Sequence, residues 1–541
     1  MQYVQATRIV HAEGVENAET LLLDKPLQIG LAERNCAVFK GKASVILDFG
    51  RELSGGARIF TFKTEGEKKV RLRFGESVGE TCAEVDGGRG YGKATNDHSL
   101  RDFCVELQNY SDMTFGQTGF RFLRIDSLSE NSVFTIKTVV AAEDTDTRPQ
   151  LGSFECNDEL VNKIFDTAAY TLRLCLKNGY IWDGIKRDRL VWIGDLYPEM
   201  RAAHCLFGDV PETLRSLTFV KDETPLPAWM NHIPSYSLWW LTILADEYAI
   251  NGDKNNFISY LPYIKGLIPQ ISEQVNEDGS LRFDWNFVDW PTNYVEGEPL
   301  EKKEDSAVGI AYLMQITMQK IIGFLSDFGE DISLCEDILR RLGKANLQVK
   351  RYKQIAALGV WAGDASPNNK EKLLAGGARG LSTFMSYPIL TAVASYGEYE
   401  EALSMMKEYY GGMLSVGATT FWEDFDLDWL ENCSRIDEML QEGKTDIHGD
   451  KGAFCYLGYR HSLCHGWSAG VVPYLVETVA GIKPVGVGMR KIKIEPKLSG
   501  LEYVKVNYPT PFGTLQVEHR LQPDGRTVTS VSAPAGLEIV K

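Results

Sequence analysis

No stretch of this chain approaches the roughly 20 consecutive apolar residues that a bilayer-spanning helix needs, so no membrane partner is expected. The first residues, MQYVQATRIVHAEGVENAET, lack the basic opening and apolar run of an export signal. Positive charge is in deficit: 57 Lys and Arg stand against 74 Asp and Glu, a formal net charge of -17. A surface of that sign repels phosphate backbones and anionic headgroups, which argues against nucleic acid as a partner and suits a neutral ligand. Metal-ligand spacing is missing as well. The ten cysteines show no Cys-x-x-Cys pair and no His-Cys cluster, so no metal and no cofactor are expected. The acidic stretch NEDG at 276–279 has the composition of a calcium loop, but such clusters are more often plain turns. Cys156, Cys175 and Cys205 sit among apolar residues, as reduced core thiols do. With no export signal, that leads to the expectation of a cytoplasmic protein.

A chain of 541 residues exceeds one ordinary core, so several domains are expected. Residues 1–150 alternate with period two, as in Val70, Leu72 and Phe74 against Arg71 and Arg73, which predicts an N-terminal antiparallel β-sandwich. From 151 the period becomes helical, beginning with the stripe Val161, Ile164, Phe165, Ala168 and Leu172. Further helical runs fall near 195–207, 234–251, 256–275, 305–327, 331–355, 380–395, 398–411 and 466–481, with long connections at 277–303, 357–372 and 421–464. Residues 151–483 therefore read as an all-α domain of antiparallel hairpins. Strand patterning returns over 484–541, where Pro-Thr-Pro-Phe-Gly between alternating runs predicts a hairpin. Some 55 residues make a small domain, expected to pack on the helices with the N-terminal strand as a candidate partner.

The densest chemistry lies in Trp182-Asp183-Gly-Ile-Lys186-Arg187-Asp188-Arg189-Leu-Val-Trp192-Ile-Gly194-Asp195, with three carboxylates, three cations and two indoles in 14 residues. An ordinary core segment would not concentrate charge this way, because desolvating unpaired ions is costly. Charge beside indole suits a polar ligand with one apolar face, such as a sugar. The alternative is an Asp–Arg salt-bridge cluster tying a loop to a helix.

The pattern Asp-x-x-x-Arg-Asp-Arg-x-x-Trp-x-Gly-Asp resembles the signature of the inverting α-L-rhamnosidases of glycoside hydrolase family 78, in a shorter form. The strand-rich segments DFGRELSGG and VRLRFGES and the C-terminal strands also resemble that family's flanking β domains. The resemblance implies a toroid of six helical hairpins, an (α/α)6 barrel, with the active site where long loops meet at one end. The substrate it implies is a small molecule or oligosaccharide with a terminal rhamnose.

Glycoside hydrolysis needs two carboxyl groups flanking the scissile bond. The resemblance makes Asp188 the general acid, in place of the family's glutamate, one methylene longer. Arg187 and Arg189 oppose an acid role for Asp188, whereas Asp183, Asp195 and burial favour it; the direction of the arginine heads decides. The second carboxylate is expected from a distant loop. The segment TTFWEDF at 419–425 resembles the one that carries the family's base, which makes Glu423 the base; on spacing alone Asp424 and Asp426 stand as near alternatives. Asp183, Arg187 and Asp195 are expected to hold sugar hydroxyls. Trp192, Trp229, Asp289, Trp290 and His465 resemble the family's pocket residues, with His461 a second candidate histidine. Trp239 and Trp240 read as helix-packing residues. The stretch from 424 to 464 reads as a lid, an aglycone-binding insert or a solvated loop. Two rivals stand beside the rhamnosidase: a six-hairpin uronyl hydrolase, and a carbohydrate-binding protein that has lost turnover.

Overall fold

In the computed structural model, which describes residues 2–24, 35–84 and 101–540, strands give way to helices at Glu159. The N-terminal region is built around one long strand, Ala37–Glu65, which pairs with Arg8–Glu16, Asp112–Ser127 and Val133–Glu143. The strand bends around Gly50, and both of its arms bond to the same neighbours, so one continuous sheet wraps the core. Val70, Leu72, Phe74, Phe120 and Phe134 are buried in that core, as their alternation predicts. Arg73, on the opposite face, is also buried and pairs with Asp126 at 2.8 Å.

Twelve helices follow among the described residues. Six of them, Ile193–Phe207, Pro234–Asn251, Leu300–Asp327, Lys353–Ala362, Ser386–Ser395 and Val471–Tyr474, pack each on the next and the last on the first. They close an inner ring. Glu159–Cys175, Pro211–Glu223, Leu261–Ser272, Ser333–Leu342, Pro367–Leu374 and Tyr399–Ser415 lie outside it, which completes a six-hairpin toroid. Every connection from an outer to an inner helix therefore reaches the same end, where the inner helices present their N-termini.

This layering explains where the periodicity misleads. An inner helix is covered on both sides, so it loses the one-sided apolar stripe. Residues 353–359 are buried at every position, and Lys353–Ala362 reads in sequence partly as a loop because Gly359 and Gly363 punctuate it. The single run expected over 331–355 is two helices separated at 343–352. Pro211–Glu223 and Pro367–Leu374, absent from the expected set, each begin with a proline at a first-turn position. Leu300–Asp327 is long and apolar enough by composition to cross a membrane, against the sequence expectation, and 67% of its most apolar window is buried in the ring.

The C-terminal strands form a four-stranded sheet in the order 527–532, 513–521, 503–510, 153–156, and a second sheet of three. Its fourth strand is Ser153–Cys156, directly before the first toroid helix, whereas the chain start pairs with Val140–Glu143 of the N-terminal sheet. The hairpin expected at Pro-Thr-Pro-Phe-Gly is present, closing between Thr510 and Gly513.

The N-terminal sheet is fastened to the site end of the toroid. Arg121 Nη1 donates to Gly417 O at 2.9 Å, the Glu52 amide to Thr419 Oγ1 at 2.9 Å, and the Gly119 amide to Ile185 O at 3.0 Å. Trp240 packs in the ring as its helix position predicts, fully buried with its indole N–H donating to Leu217 O at 3.0 Å. Trp240→Ala removes that bond and leaves a large void, for an expected cost of about 3–5 kcal/mol. A marked fall in unfolding temperature, measured by scanning calorimetry, is the expected result.

Candidate active site

Trp192 precedes the first turn of helix Ile193–Phe207, Asp195 lies within that turn, and the loop before them carries Asp183, Arg187 and Asp188. Gly194 is required here, because a Cβ would stand 2.4 Å from the Tyr236 ring of the next inner helix. Asp188 and Arg189 both adopt left-handed backbone conformations, with φ of 50° and 56°. The Arg189 amide donates to Arg187 O at 2.6 Å, which closes a tight turn around Asp188. A left-handed arginine is costly, of order 1–3 kcal/mol, and such strain collects at functional sites.

These residues form one wall of a cavity of about 320 Å³, the size of a site for a small ligand. Asn231, Ile233 and Tyr236 come from the second outer-to-inner junction, and Trp285, Phe287 and Trp290 from the third. Glu423, Cys455, Tyr456, Arg460, His465 and Trp467 come from the last. The three segments around 183, 422 and 464 are stitched together by backbone. The Gly466 amide donates to Asp183 O at 2.7 Å, His465 N to Phe421 O at 3.0 Å and Glu423 N to Ser462 O at 3.0 Å.

Arg187 is the hub. Its Nη1 donates to Asp188 Oδ1 at 2.7 Å, its Nη2 to Glu423 Oε1, and its Nε to Arg460 O at 2.9 Å. Arg189 turns away, to Gln117 O and over the Trp182 ring. His465 Nε2 stands 3.4 Å from Glu423, 3.7 Å from Asp183 and 3.8 Å from Asp195. The Asp188 side chain is 13% exposed, against 3% for Asp183, 4% for Asp195 and 3% for Glu423. Of the four acids, Asp188 is the one most open to the cavity.

The acids divide by charge state. Burial pushes the Glu423 carboxyl up, but Arg187 and His465 outweigh it and hold it well below the usual carboxylate range. Asp183 is pushed far up by burial and by the charges of Asp188 and Asp195. Asp195 goes the same way through burial, although the Tyr236 hydroxyl donates to it at 3.2 Å. Glu199, one turn below Asp195, is raised by burial and by Asp195. The site thus sets one carboxyl held low, Glu423, beside Asp183 and Asp195, which burial pushes towards the neutral form. The six inner-helix N-termini add positive potential at this end.

Asp183, Arg187, Asp188, Trp192, Asp195, Trp290, Glu423 and His465 all line the cavity. Trp229 and Asp289, also expected in the pocket, do not. Trp229 packs edge-on against Phe283 outside it, because Asn231 and Ile233 occupy the end of that loop. Asp289 is buried behind Trp290, where its carboxylate accepts from the Trp290 amide at 2.8 Å and from Ser382 Oγ at 2.5 Å. Burial raises it to about 6 against the opposing Ser382 bond. Asp424, Asp426 and His461 also lie outside; His461 Nε2 accepts from the Asp424 amide at 2.9 Å. Tyr236, Tyr456 and Arg460 were not singled out by sequence. Pro234, at the start of an inner helix, was the available signal for Tyr236. The stretch 424–464 divides in two: Cys455, Tyr456 and Arg460 line the cavity, while Ile436 O accepts from the Val78 amide of the N-terminal region at 2.8 Å. NEDG is a turn, with the Asn276 amide donating to Ser280 O at 2.9 Å and Asp278 accepting from the Ser280 amide at 3.0 Å.

Residues 149–322 match the family model of the bacterial alpha-L-rhamnosidase six-hairpin glycosidase domain, and residues 481–540 that of the bacterial alpha-L-rhamnosidase C-terminal domain. An alpha-L-rhamnosidase of Formosa agariphila is 26% identical over 164 residues, covering 30% of this chain and 17% of that protein. The family 78 rhamnosidase structure of Bacillus sp. GL1 aligns with a TM-score of 0.72 and 19% identity, over 97% of this chain and 55% of that one. A Klebsiella oxytoca rhamnosidase with rhamnose bound aligns at 0.65 and 18% identity, over 88% of this chain and 95% of that one. The Streptomyces avermitilis alpha-L-rhamnosidase complexed with L-rhamnose aligns at 0.65 and 17% identity, over 92% of this chain and 48% of that one. The chain thus spans about half the length of the Bacillus structure and less than a fifth of the Formosa protein. The three structural alignments, over 88% to 97% of this chain, show a shared fold.

The raised carboxyl of Glu199 has a consequence for stability. A carboxyl that must stay neutral when folded contributes stability below its ordinary value of 4.5, lost as pH rises towards its folded value. Glu199→Gln cannot ionise. The variant is expected to match the wild type near pH 4 and to melt at increasingly higher temperature than it as pH rises, read from melting curves across the range. A pH-independent difference would contradict the assignment.

Proposed function

We propose that the protein is an exo-acting glycoside hydrolase that releases terminal α-L-rhamnose with inversion. The observation that carries this reading is Arg187, whose single guanidinium touches both Asp188 and Glu423 at the wall of an indole-lined cavity. Two acids of unlike exposure held in fixed relation, with aromatic surface beside them, supply the parts that glycoside hydrolysis needs. The shared toroid, the matched family models and the motif around Asp183–Asp195 support the same reading.

In the proposed reaction Asp188, the most open acid, donates a proton carried on Oδ2 to the glycosidic oxygen as the C1–O bond breaks, since Oδ1 accepts from Arg187, a contact that works against protonation. Water attacks C1 from the opposite face and gives its proton to Glu423. Arg187 and His465 keep Glu423 ionised to receive it. Protonated Asp183 and Asp195 donate to sugar hydroxyls, while Trp192, Trp290 and the apolar Ile233 and Phe287 face the ring carbons and the C6 methyl. The ten free cysteines, six of them buried, support a reducing cytoplasmic setting.

A second reading has one observation in its favour. Arg460 lines the cavity, with Nη1 donating to Cys455 O at 2.5 Å, and a basic residue there would suit the carboxylate of a terminal uronate.

Hydrolysis of aryl α-L-rhamnosides tests the proposal, with aryl β-uronides as the parallel panel. Asp188→Asn and Glu423→Gln are each expected to lose activity by about 10²–10⁴-fold, the usual contribution of a general acid or base. The loss in Asp188→Asn should shrink for leaving groups of low pKa, which need no proton, and that in Glu423→Gln should not. NMR of the first turnovers should show β-rhamnose. Initial α-rhamnose would overturn inversion, and turnover of the uronide alone would favour the second reading.

A further inference from the structure

The N-terminal region sends one short element, the turn and helix after strand Lys69–Gly75, into the back of the site. Glu76 and Glu80 stand there with His448, all buried, in a donor set with the spacing of a metal site. The charge between them is a lysine. Lys186 Nζ lies 3.0 Å from Glu80 Oε1, 3.3 Å from Glu76 Oε2 and 3.3 Å from His448 Nε2, and donates to His461 O at 2.7 Å. That ammonium supplies the positive charge a metal ion would bring.

Lys186 immediately precedes Arg187. Glu76 itself also reaches the opposite loop: Oε2 accepts from the Leu463 amide at 2.6 Å and Oε1 from Ser462 Oγ at 3.2 Å. The Ser462 amide in turn donates to Glu423 Oε2 at 3.2 Å. One buried carboxylate of the β region therefore contacts the segment that bears Arg187 and Asp188 and the segment that orients Glu423.

We propose that Glu76 is a positioning residue for the hydrolysis, and that the N-terminal β region is a working part of the catalytic centre rather than a buttress to it. The proposal rests on Asp188 and Glu423 acting as the acid–base pair. Glu76 touches no reacting atom in this scheme; it sets the relation between the two loops that do. Its loss removes one carboxyl partner from Lys186 and the acceptors of the Leu463 amide and the Ser462 hydroxyl, so Arg187 and Glu423 shift together. A misplacement of about 1 Å at such a pair can cost about 100-fold in rate.

The test compares wild type, Glu76→Ala, Glu76→Gln and Arg8→Ala in the full chain. Arg8 also joins the β region to the toroid, through Asp48 and Asp437 O, but contacts neither loop. Glu76→Ala is expected to lower kcat on an aryl α-L-rhamnoside about 100-fold with KM within about threefold of wild type. Glu76→Gln, which keeps an acceptor for the Leu463 amide, should recover part of that loss, and Arg8→Ala should keep its kcat. Hydrogen exchange in native buffer reads the placement without substrate: amides of 183–190 and 461–466 should exchange faster in Glu76→Ala and stay protected in Arg8→Ala. Should Glu76→Ala not fold, Glu76→Gln carries both readouts, with a smaller change in the same direction. Retained kcat with unchanged exchange in both loops would overturn the proposal, as would losses equal to those of Arg8→Ala. If the wild type is inert on rhamnosides, the proposed function falls, and exchange alone then decides whether Glu76 places the loops.

Discussion

A guanidinium buried at 2% exposure, Arg187, is the constraint on which the site depends. An unpaired charge at that depth would be strongly destabilising, so its partners must stay in place. It has two carboxylate partners from segments more than two hundred residues apart, Asp188 and Glu423, and a backbone carbonyl from a third. Breaking one contact leaves a buried charge without its counter-ion. The geometry of the acids is thereby tied to the stability of the loops around them.

The toroid makes such convergence possible. Inner helices run parallel to one another, so each outer-to-inner connection arrives at the same rim. The second junction supplies Asn231, Ile233 and, from the first turn of its helix, Tyr236, and the long last connection supplies both Glu423 and His465. The electrostatics follow from depth. Arg187 and His465 hold Glu423 low, while burial with no cation among its neighbours raises Glu199, so carboxyls of one site acquire different chemical capacities from burial and pairing alone.

The flanking β regions take part in the same economy of buried charge. Lys186 and Arg187 are consecutive, yet one is neutralised from the N-terminal region and the other from within the cavity. Their alternation across the chain lets a single loop be gripped from both sides. The left-handed turn at Asp188 and Arg189 is sustained by that grip, since isolated loops would relax out of it. The C-terminal sheet is likewise not a separate appendage, because Ser153–Cys156 completes it from the segment entering the first helix.

How much could be read without the fold depended on how local each signal is. The run from Asp183 to Asp195 sits on one loop and one helix turn, so its offsets alone keep those side chains together. The strand alternation of Val70, Leu72 and Phe74 is equally local, as is the hairpin at Thr510–Gly513. The ring helix Lys353–Ala362 was hidden because burial on every side erases amphipathic periodicity. Trp229 shares a loop with cavity residues yet turns to Phe283, and Asp424 neighbours Glu423 yet points away. Periodicity and spacing by themselves determined the β–α–β order of the chain and the chemical character of its densest segment. Which acids share a guanidinium, which are raised by burial, and that Glu76 reaches the same loops were decided only by tertiary structure. The physical reason is that charge state and pairing depend on burial and on contacts between residues hundreds of positions apart, and neither is a property of a local stretch of chain.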